Sequence, residues 1–183
     1  MSFKEVINIL NNSKTILYPT DTVWGLGCDA TDEKAIEKIY QLKRRSESKS
    51  LIILVSSIEM LKEYVDDIPE KAIDIIKEST KPTTIIYNNP KNLAKNAIAS
   101  DNTIAIRIPK DNFCIKLIKE FGKPIISTSA NISGEPTPKL FSEISAKILN
   151  NVDYIVDLHT EKVNKKSSTI LKIDKNAIIV LRA

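Results

Sequence analysis

The sequence predicts an α/β (α+β) fold, with one twisted, mixed, open sheet flanked by helices. Three observations carry that reading. Apolar residues switch repeatedly between a helical period and a strand period along the chain. The strand segments are short and rich in Ile, Val and Thr, and some are apolar throughout, as strands covered on both faces are. Tight hairpin signals are few, and the closing strands should add antiparallel pairs.

Each element follows from local chemistry. Phe3, Val6, Ile7 and Leu10 form a helical stripe. Residues 15–18 read as a strand stopped by Pro19. Thr31, Asp32 and Glu33 offer a cap and an acidic first turn to the stripe Ala35, Ile36, Ile39 and Tyr40. Residues 51–55 are a continuous apolar run and read as a buried strand. Ser56 and Glu59 have capping-box spacing, which predicts a short helix. Asp67, Pro69 and Glu70 start a helix running to about residue 79. Residues 83–87 form a strand closed by Asn88-Asn89-Pro90, and 104–108 form another. Asp111 caps a helix that ends at Phe121, before Gly122-Lys123-Pro124. Residues 125–128 are a strand, and Thr137-Pro138 opens a helix to residue 149. Segments 154–156, 169–173 and 178–181 are the closing strands, with a polar surface loop at 161–168.

A length of 183 residues fits one domain, 1–183, with a sizeable core. Hydrophobic residues are 42% and charged residues 27%, an ordinary globular balance. The net charge of +4 is mild and suits an anionic small molecule or RNA. Cys28 and Cys114 sit in no metal spacing and read as reduced thiols. The N-terminus lacks a signal-peptide pattern, and no apolar run approaches the roughly 20 residues that span a bilayer. A cytoplasmic protein without a membrane partner is expected. His159 is the sole histidine, which disfavours a His triad or a His-rich metal site. Neither a P-loop nor a GxGxxG run is present.

Three segments are candidates for chemistry. In the run from Tyr18 to Gly27, the hydroxyls of Thr20 and Thr22 and the carboxylate of Asp21 follow a strand end, where α/β sheets bind ligands. The same run also suits a turn in which Asp21 bonds nearby amides and Trp24 packs in the core. Lys43-Arg44-Arg45 with Lys49 is either a helix C-cap or a phosphate clamp. Residues 127–134 place a dense set of hydroxyls and the Asn131 amide after a strand, as a polar ligand site or a turn. Arg107, inside an apolar strand, needs a partner, a ligand or a solvent-facing edge.

Taken in order, these segments resemble the YrdC-like threonylcarbamoyl-AMP synthase family, from about Thr15 to Arg182. The matching pieces are the PTDTVWGLG run from Pro19, Lys43-x-Arg45, Arg107-Ile108-Pro109, Ser129-Ala130-Asn131-x-Ser133-Gly134, Ser168-Thr169 and Arg182. The resemblance implies a concave basic groove and a reaction that joins L-threonine, bicarbonate or CO2, and ATP into threonylcarbamoyl-AMP, releasing pyrophosphate. The product would pass to a separate transferase that modifies adenosine 37 of tRNA. By this resemblance Thr22, Arg107, Ser129 and Ser168 bind L-threonine, and Lys43, Arg45, Lys49, Thr103, Asn131, Lys139 and Arg182 bind ATP. Lys43 and Arg45 would also act on the transition state. Mg2+ would be held mainly by the ATP phosphates, with no protein metal ligand. Weak RNA binding is a further expectation.

The sequence departs from the family at several points. Trp24 stands where Tyr is usual, Ser46 and Ser50 replace prolines, and Thr80-Lys81-Pro82 replaces Pro-Gly-Pro. Lys139 replaces a small hydroxyl residue, and the chain stops at Arg182-Ala183 without the extra domain of longer synthases. The alternatives are an RNA-binding module of this fold, disfavoured by only 5% aromatic residues, and a carbamoyl-adenylate-forming paralogue without threonine activity.

Overall fold

The computed structural model describes residues 2–45, 51–158, 160–161, 166–174 and 177–183. The chain runs through α1 (Phe3–Asn11), β1 (Ile16–Tyr18), β2 (Gly25–Gly27), α2 (Glu33–Lys43), β3 (Ile52–Leu54) and α3 (Ile58–Tyr64). It continues through α4 (Glu70–Glu78), β4 (Thr83–Asn88), β5 (Thr103–Arg107), α5 (Asn112–Phe121) and β6 (Ile125–Ser129). α6 (Ala146–Leu149), β7 (Tyr154–Ile155), β8 (Thr169–Asp174) and β9 (Ala177–Arg182) complete it. The nine strands among the described residues form one sheet in the order β7-β1-β2-β6-β3-β5-β4-β8-β9. The sheet is mixed. β1–β7, β3–β5 and β4–β8 are parallel pairs, and the other neighbours are antiparallel.

Helix ends follow the predicted chemistry in two clear cases. The Asp32 carboxylate accepts from the backbone N–H of Lys34 (2.9 Å) and Ala35 (3.2 Å), starting α2. Asp111 accepts from Cys114 N–H at 3.0 Å, and Gly122, at φ 75°, closes α5 in the left-handed region. Elsewhere the expectation needs correction. The cap of α3 is Ser57, whose hydroxyl accepts from Met60 N–H at 3.2 Å, one residue after the predicted Ser56. The single helix expected over 137–149 breaks into an extended lead, a 3-10 turn at Phe141–Glu143 and the short α6. Ser145 caps α6 from extended backbone, so the chain cannot pass through helically.

The sequence predicts no strand at residues 25–27, and the structure places β2 there, between β1 and β6. Its sequence, Gly-Leu-Gly, carries little periodic signal. Glycine is required at position 27, because a Cβ there would lie 2.6 Å from the Ile126 carbonyl oxygen and 2.7 Å from the Tyr18 ring.

Strand alternation divides the core between the two sheet faces. Ile53, Ile85, Tyr87, Ile104, Ile106 and Ile126 join Ala35, Ile36 and Ile39 of α2 and Ile148 of α6 in one cluster. Leu54, Ile16 and Ile125 join Val6 and Leu10 of α1 and Leu117 and Ile118 of α5 in the other. Ala105, Arg107, Ser127 and Ser129 therefore point away from the first cluster, and they line a cavity on the opposite face.

Candidate functional site

That cavity has a volume of about 290 Å³, close to the lower end of the ~300–1,000 Å³ range of small-molecule sites. Its floor is apolar and comes from period-two positions on successive strands, namely Ile52, Ile86, Ala105 and Ile170. Its polar groups are hydroxyls of Thr22, Ser127, Thr128, Ser129, Ser167 and Ser168 and the guanidinium groups of Arg45, Arg107 and Arg182. Among the described residues, three arginines and no acidic side chain line it, which suits an anionic ligand.

Arg107 is 3% exposed and sits at the end of the central strand β5, not on the solvent-facing edge that its sequence context also allowed. Its Nη1 ion-pairs with Asp21 Oδ1, and Lys110 N–H donates to Asp21 Oδ2 at 3.0 Å. Both Asp21 oxygens are thus engaged, which makes Asp21 the orienter of Arg107. Nη2 donates to Thr22 Oγ1 at 3.4 Å, and Nε is buried with no hydrogen-bond partner among the described residues. One edge of the guanidinium is therefore committed to Asp21, while the other carries the buried Nε and an Nη2 that donates to Thr22.

Thr22 is held beside it. Thr20 Oγ1 lies 2.9 Å from Thr22 Oγ1, accepts from Thr22 N–H at 3.0 Å and donates to the Val23 carbonyl at 2.7 Å. Trp24 is fully buried against the Phe141 ring, with centroids 5.0 Å apart, so its packing role holds alongside a ligand wall. At the other side, Ser168 Oγ lies 2.7 Å from Thr84 Oγ1 and accepts from Arg182 Nη2 at 3.1 Å, while Arg182 Nε donates to the Ser168 carbonyl at 2.9 Å. The β8–β9 register shifts at Ile170/Leu171, where Ile170 pairs with Arg182 but Leu171 pairs with Val180. This bulge brings both Leu181 and Arg182 onto the cavity, although neighbours in a regular strand point to opposite faces. Burial and the nearby Arg107 charge lower the Arg182 pKa, and burial lowers that of Arg45.

The remaining predicted residues are placed differently. Lys43 is 1% exposed and does not line the cavity. Its Nζ donates to the carbonyl oxygens of Ser129 and Asn131 (2.7 Å for the latter). Burial, then the Arg45 charge, pulls its pKa down to about 7. The Asn131 amide is engaged internally, with Nδ2 donating to the carbonyls of Ile132 (3.1 Å) and Glu135 (2.6 Å) and Oδ1 accepting from Ser129 Oγ. Thr103 lies two and four residues before Ala105 and Arg107 on the same strand face, off the cavity wall, and its hydroxyl donates to Asp101 at 2.6 Å. Lys139 is exposed and off the wall, with its backbone N–H held by Glu143 at 2.7 Å. Lys49 lies outside the described residues. Arg44, in the left-handed region at φ 48°, is exposed at the α2 C-cap.

Comparison with known proteins gives the chain a family. The chain matches the model of the Sua5/yciO/yrdC family, described as telomere recombination, over residues 8–183. It is 36% identical over 154 residues to the threonylcarbamoyl-AMP synthase of Pseudoalteromonas translucida, covering 82% of each chain. It is 33% identical over 144 residues to the enzyme of the same name from Escherichia coli O6:H1, covering 77% of this chain and 76% of that one. The crystal structure of P. abyssi Sua5 complexed with L-threonine superposes with a TM-score of 0.88 at 27% identity, covering 98% of this chain and 53% of that one. The chain thus spans about half the length of the P. abyssi protein. By sequence over most of its length, and by its fold, the chain belongs to the Sua5/YciO/YrdC family.

Proposed function

We infer that this chain, 1–183 as one catalytic unit, is a threonylcarbamoyl-AMP synthase that condenses L-threonine, bicarbonate or CO2, and ATP and releases pyrophosphate. The observation that carries the reading is one cavity that brings together Arg107, whose Nε has no partner among the described residues, and the hydroxyl side chains of Thr22, Ser129 and Ser168. An α-carboxylate satisfies the Nε/Nη2 edge with two parallel charge-assisted bonds. The hydroxyls then accept from or donate to the amine and side chain of threonine.

The chemistry needs no protein nucleophile. The neutral threonine amine adds to CO2 with loss of a proton, or condenses with bicarbonate with loss of water, to form a carbamate. A carbamate oxygen attacks the α-phosphorus of ATP, and the bond to the bridging oxygen breaks as pyrophosphate leaves. Negative charge grows on phosphoryl oxygens, so positioning and cationic stabilisation supply the acceleration. In this reading Arg45 and Arg182 supply it, with Lys49 as a further ATP-side residue, whereas Thr103 and Lys139 lie off the wall and the Asn131 amide is engaged internally, so these three are given no part on the phosphates. Among the described residues no cluster of His, Cys, Asp or Glu could hold a metal, and Asp21 is already engaged. In this reading Mg2+ arrives on the phosphates, where it neutralises charge. The labile product would pass to a tRNA-modifying transferase in the cytoplasm, with at most weak RNA binding by this chain. No helix among the described residues is long and apolar enough to cross a membrane.

The deciding experiment measures pyrophosphate release from ATP and bicarbonate with and without L-threonine. Release that depends on threonine is expected. Release without that dependence would replace the substrate, and salt-sensitive RNA binding with no release would replace the enzyme reading.

A further inference from the structure

Lys43 and the loop after β6 are tied at two points. An ammonium carries three donors and no acceptor. The Lys43 Nζ meets three oxygens, namely the carbonyls of Ser129 and Asn131 and, at 3.5 Å, Asn131 Oδ1. The Lys43 backbone carbonyl adds a second tie by accepting from Ser133 N–H at 2.8 Å. Asn131 extends the clamp, because its Oδ1 also accepts from Ser129 Oγ while its Nδ2 is fully used by Ile132 and Glu135. Of the two residues whose carbonyls the ammonium holds, Ser129 lines the cavity, whereas Lys43 itself does not. With its hydroxyl proton directed at Asn131, Ser129 Oγ offers the cavity its lone pairs, an acceptor suited to an amine or hydroxyl donor. The clamp therefore sets the direction of a ligand group from a position behind the wall.

We propose that Lys43 is a positioning residue: its ammonium fixes the turn at 129–131, and through it the Ser129 hydroxyl that receives threonine, without touching either substrate. This rests on the reading of the cavity as a threonine and ATP site. It differs from a direct role on the reacting phosphate in one measurable way. A cation that acts only on the phosphate leaves the affinity for threonine alone unchanged. A clamp behind Ser129 does not.

The test is calorimetric titration of L-threonine, without ATP, into the wild-type protein and into Lys43→Met and Lys43→Gln, with thermal unfolding recorded for each. Lys43→Met should weaken threonine binding by about tenfold or more, and Lys43→Gln, which retains two N–H donors, by less. Threonine affinity within about twofold of wild type in a folded Lys43→Met protein, alongside lost turnover, would overturn the proposal. Should that variant fail to fold, Lys43→Gln is judged by the same criterion. A third arm needs no variant. The 15N resonance of the Lys43 ammonium in the wild type should stay in place when ATP is added, and a large shift would also overturn the proposal. Failure of the wild type to bind threonine at all would strike the functional reading, and the resonance arm would still decide the clamp.

Discussion

Two buried cations flank the loops of this site, and the protein treats them in opposite ways. Arg107, 3% exposed, lines the cavity, is given a carboxylate partner in Asp21 and keeps an Nε with no partner among the described residues. Lys43, 1% exposed, meets no carboxylate of a described residue, and its donors all point at oxygens of one loop. A forked guanidinium can serve the protein with one edge and a ligand with the other, whereas a compact ammonium saturated by carbonyls has nothing left to offer. The position of each charge therefore matters less than which donors remain.

The most severe way to break this contrast is to remove the fork. Arg107→Met strands the Asp21 carboxylate and deletes the proposed carboxylate grip, so threonine-dependent kcat/KM should fall by roughly 10²–10³-fold. Arg107→Lys should recover little of it, because a point charge cannot reach Asp21 and a ligand together. Steady-state kinetics of pyrophosphate release decide both.

The next largest effect concerns the charge state of Lys43. Its folded pKa is pulled down to about 7 while the unfolded chain holds the proton to about 10.5. Between these values the unfolded state binds more protons, so this group makes stability rise with pH from about 7 to about 10.5, by on the order of a few kcal/mol in all. Below pH 7 both states are protonated and the dependence vanishes. Urea unfolding at pH 7, 8 and 9 should show the rise in the wild type, and Lys43→Met should flatten it.

A smaller effect sharpens the Arg107 side. Asp21→Asn keeps an acceptor but weakens the orientation of the guanidinium, so the threonine KM should rise by about tenfold, roughly 1.4 kcal/mol, with a lesser change in kcat. The smallest lies at the residue after Lys43. Arg44 occupies a left-handed C-cap position that suits glycine, so Arg44→Gly should leave activity unchanged and raise stability by about 0.5–1 kcal/mol in thermal unfolding.

How much of this was legible beforehand follows the range of each signal. Asp32, Asp111 and Gly122 act on their own helix ends, so α2 and α5 could be placed from sequence. β2 could not, since a strand of Gly-Leu-Gly is specified by the Tyr18 ring and the Ile126 carbonyl packed against its missing side chains. The helix over 137–149 was over-read because Pro138 and a few apolar residues imitate a helix start, while buried Pro138 belongs to an extended lead. In the site, Arg107 reads as a charge needing a partner, but Asp21 lies 86 positions away, and sequence leaves it open between a ligand contact and a turn residue that bonds nearby amides. The apolar floor of Ile52, Ile86 and Ala105 carries no chemical signature, and only the strand register assembles it. Likewise, Lys43 and Asn131 belong to a motif shared with the family, yet a motif does not say which members face inward.

The position of Arg182 has a consequence for dynamics. It sits on β9, the outermost strand, whose six residues are all exposed, with Val180 at 57% and Leu181 at 55%. One side of the cavity is thus built on the segment most prone to fray, while the Arg107 side is built on the middle of the sheet. Amide hydrogen exchange should accordingly be fast across β8 and β9 in the free protein and slow in β3, β5 and β6. A ligand gripping Arg182 would tie down the sheet edge, so nucleotide occupancy should be readable as protection of backbone amides several residues away from any atom it touches.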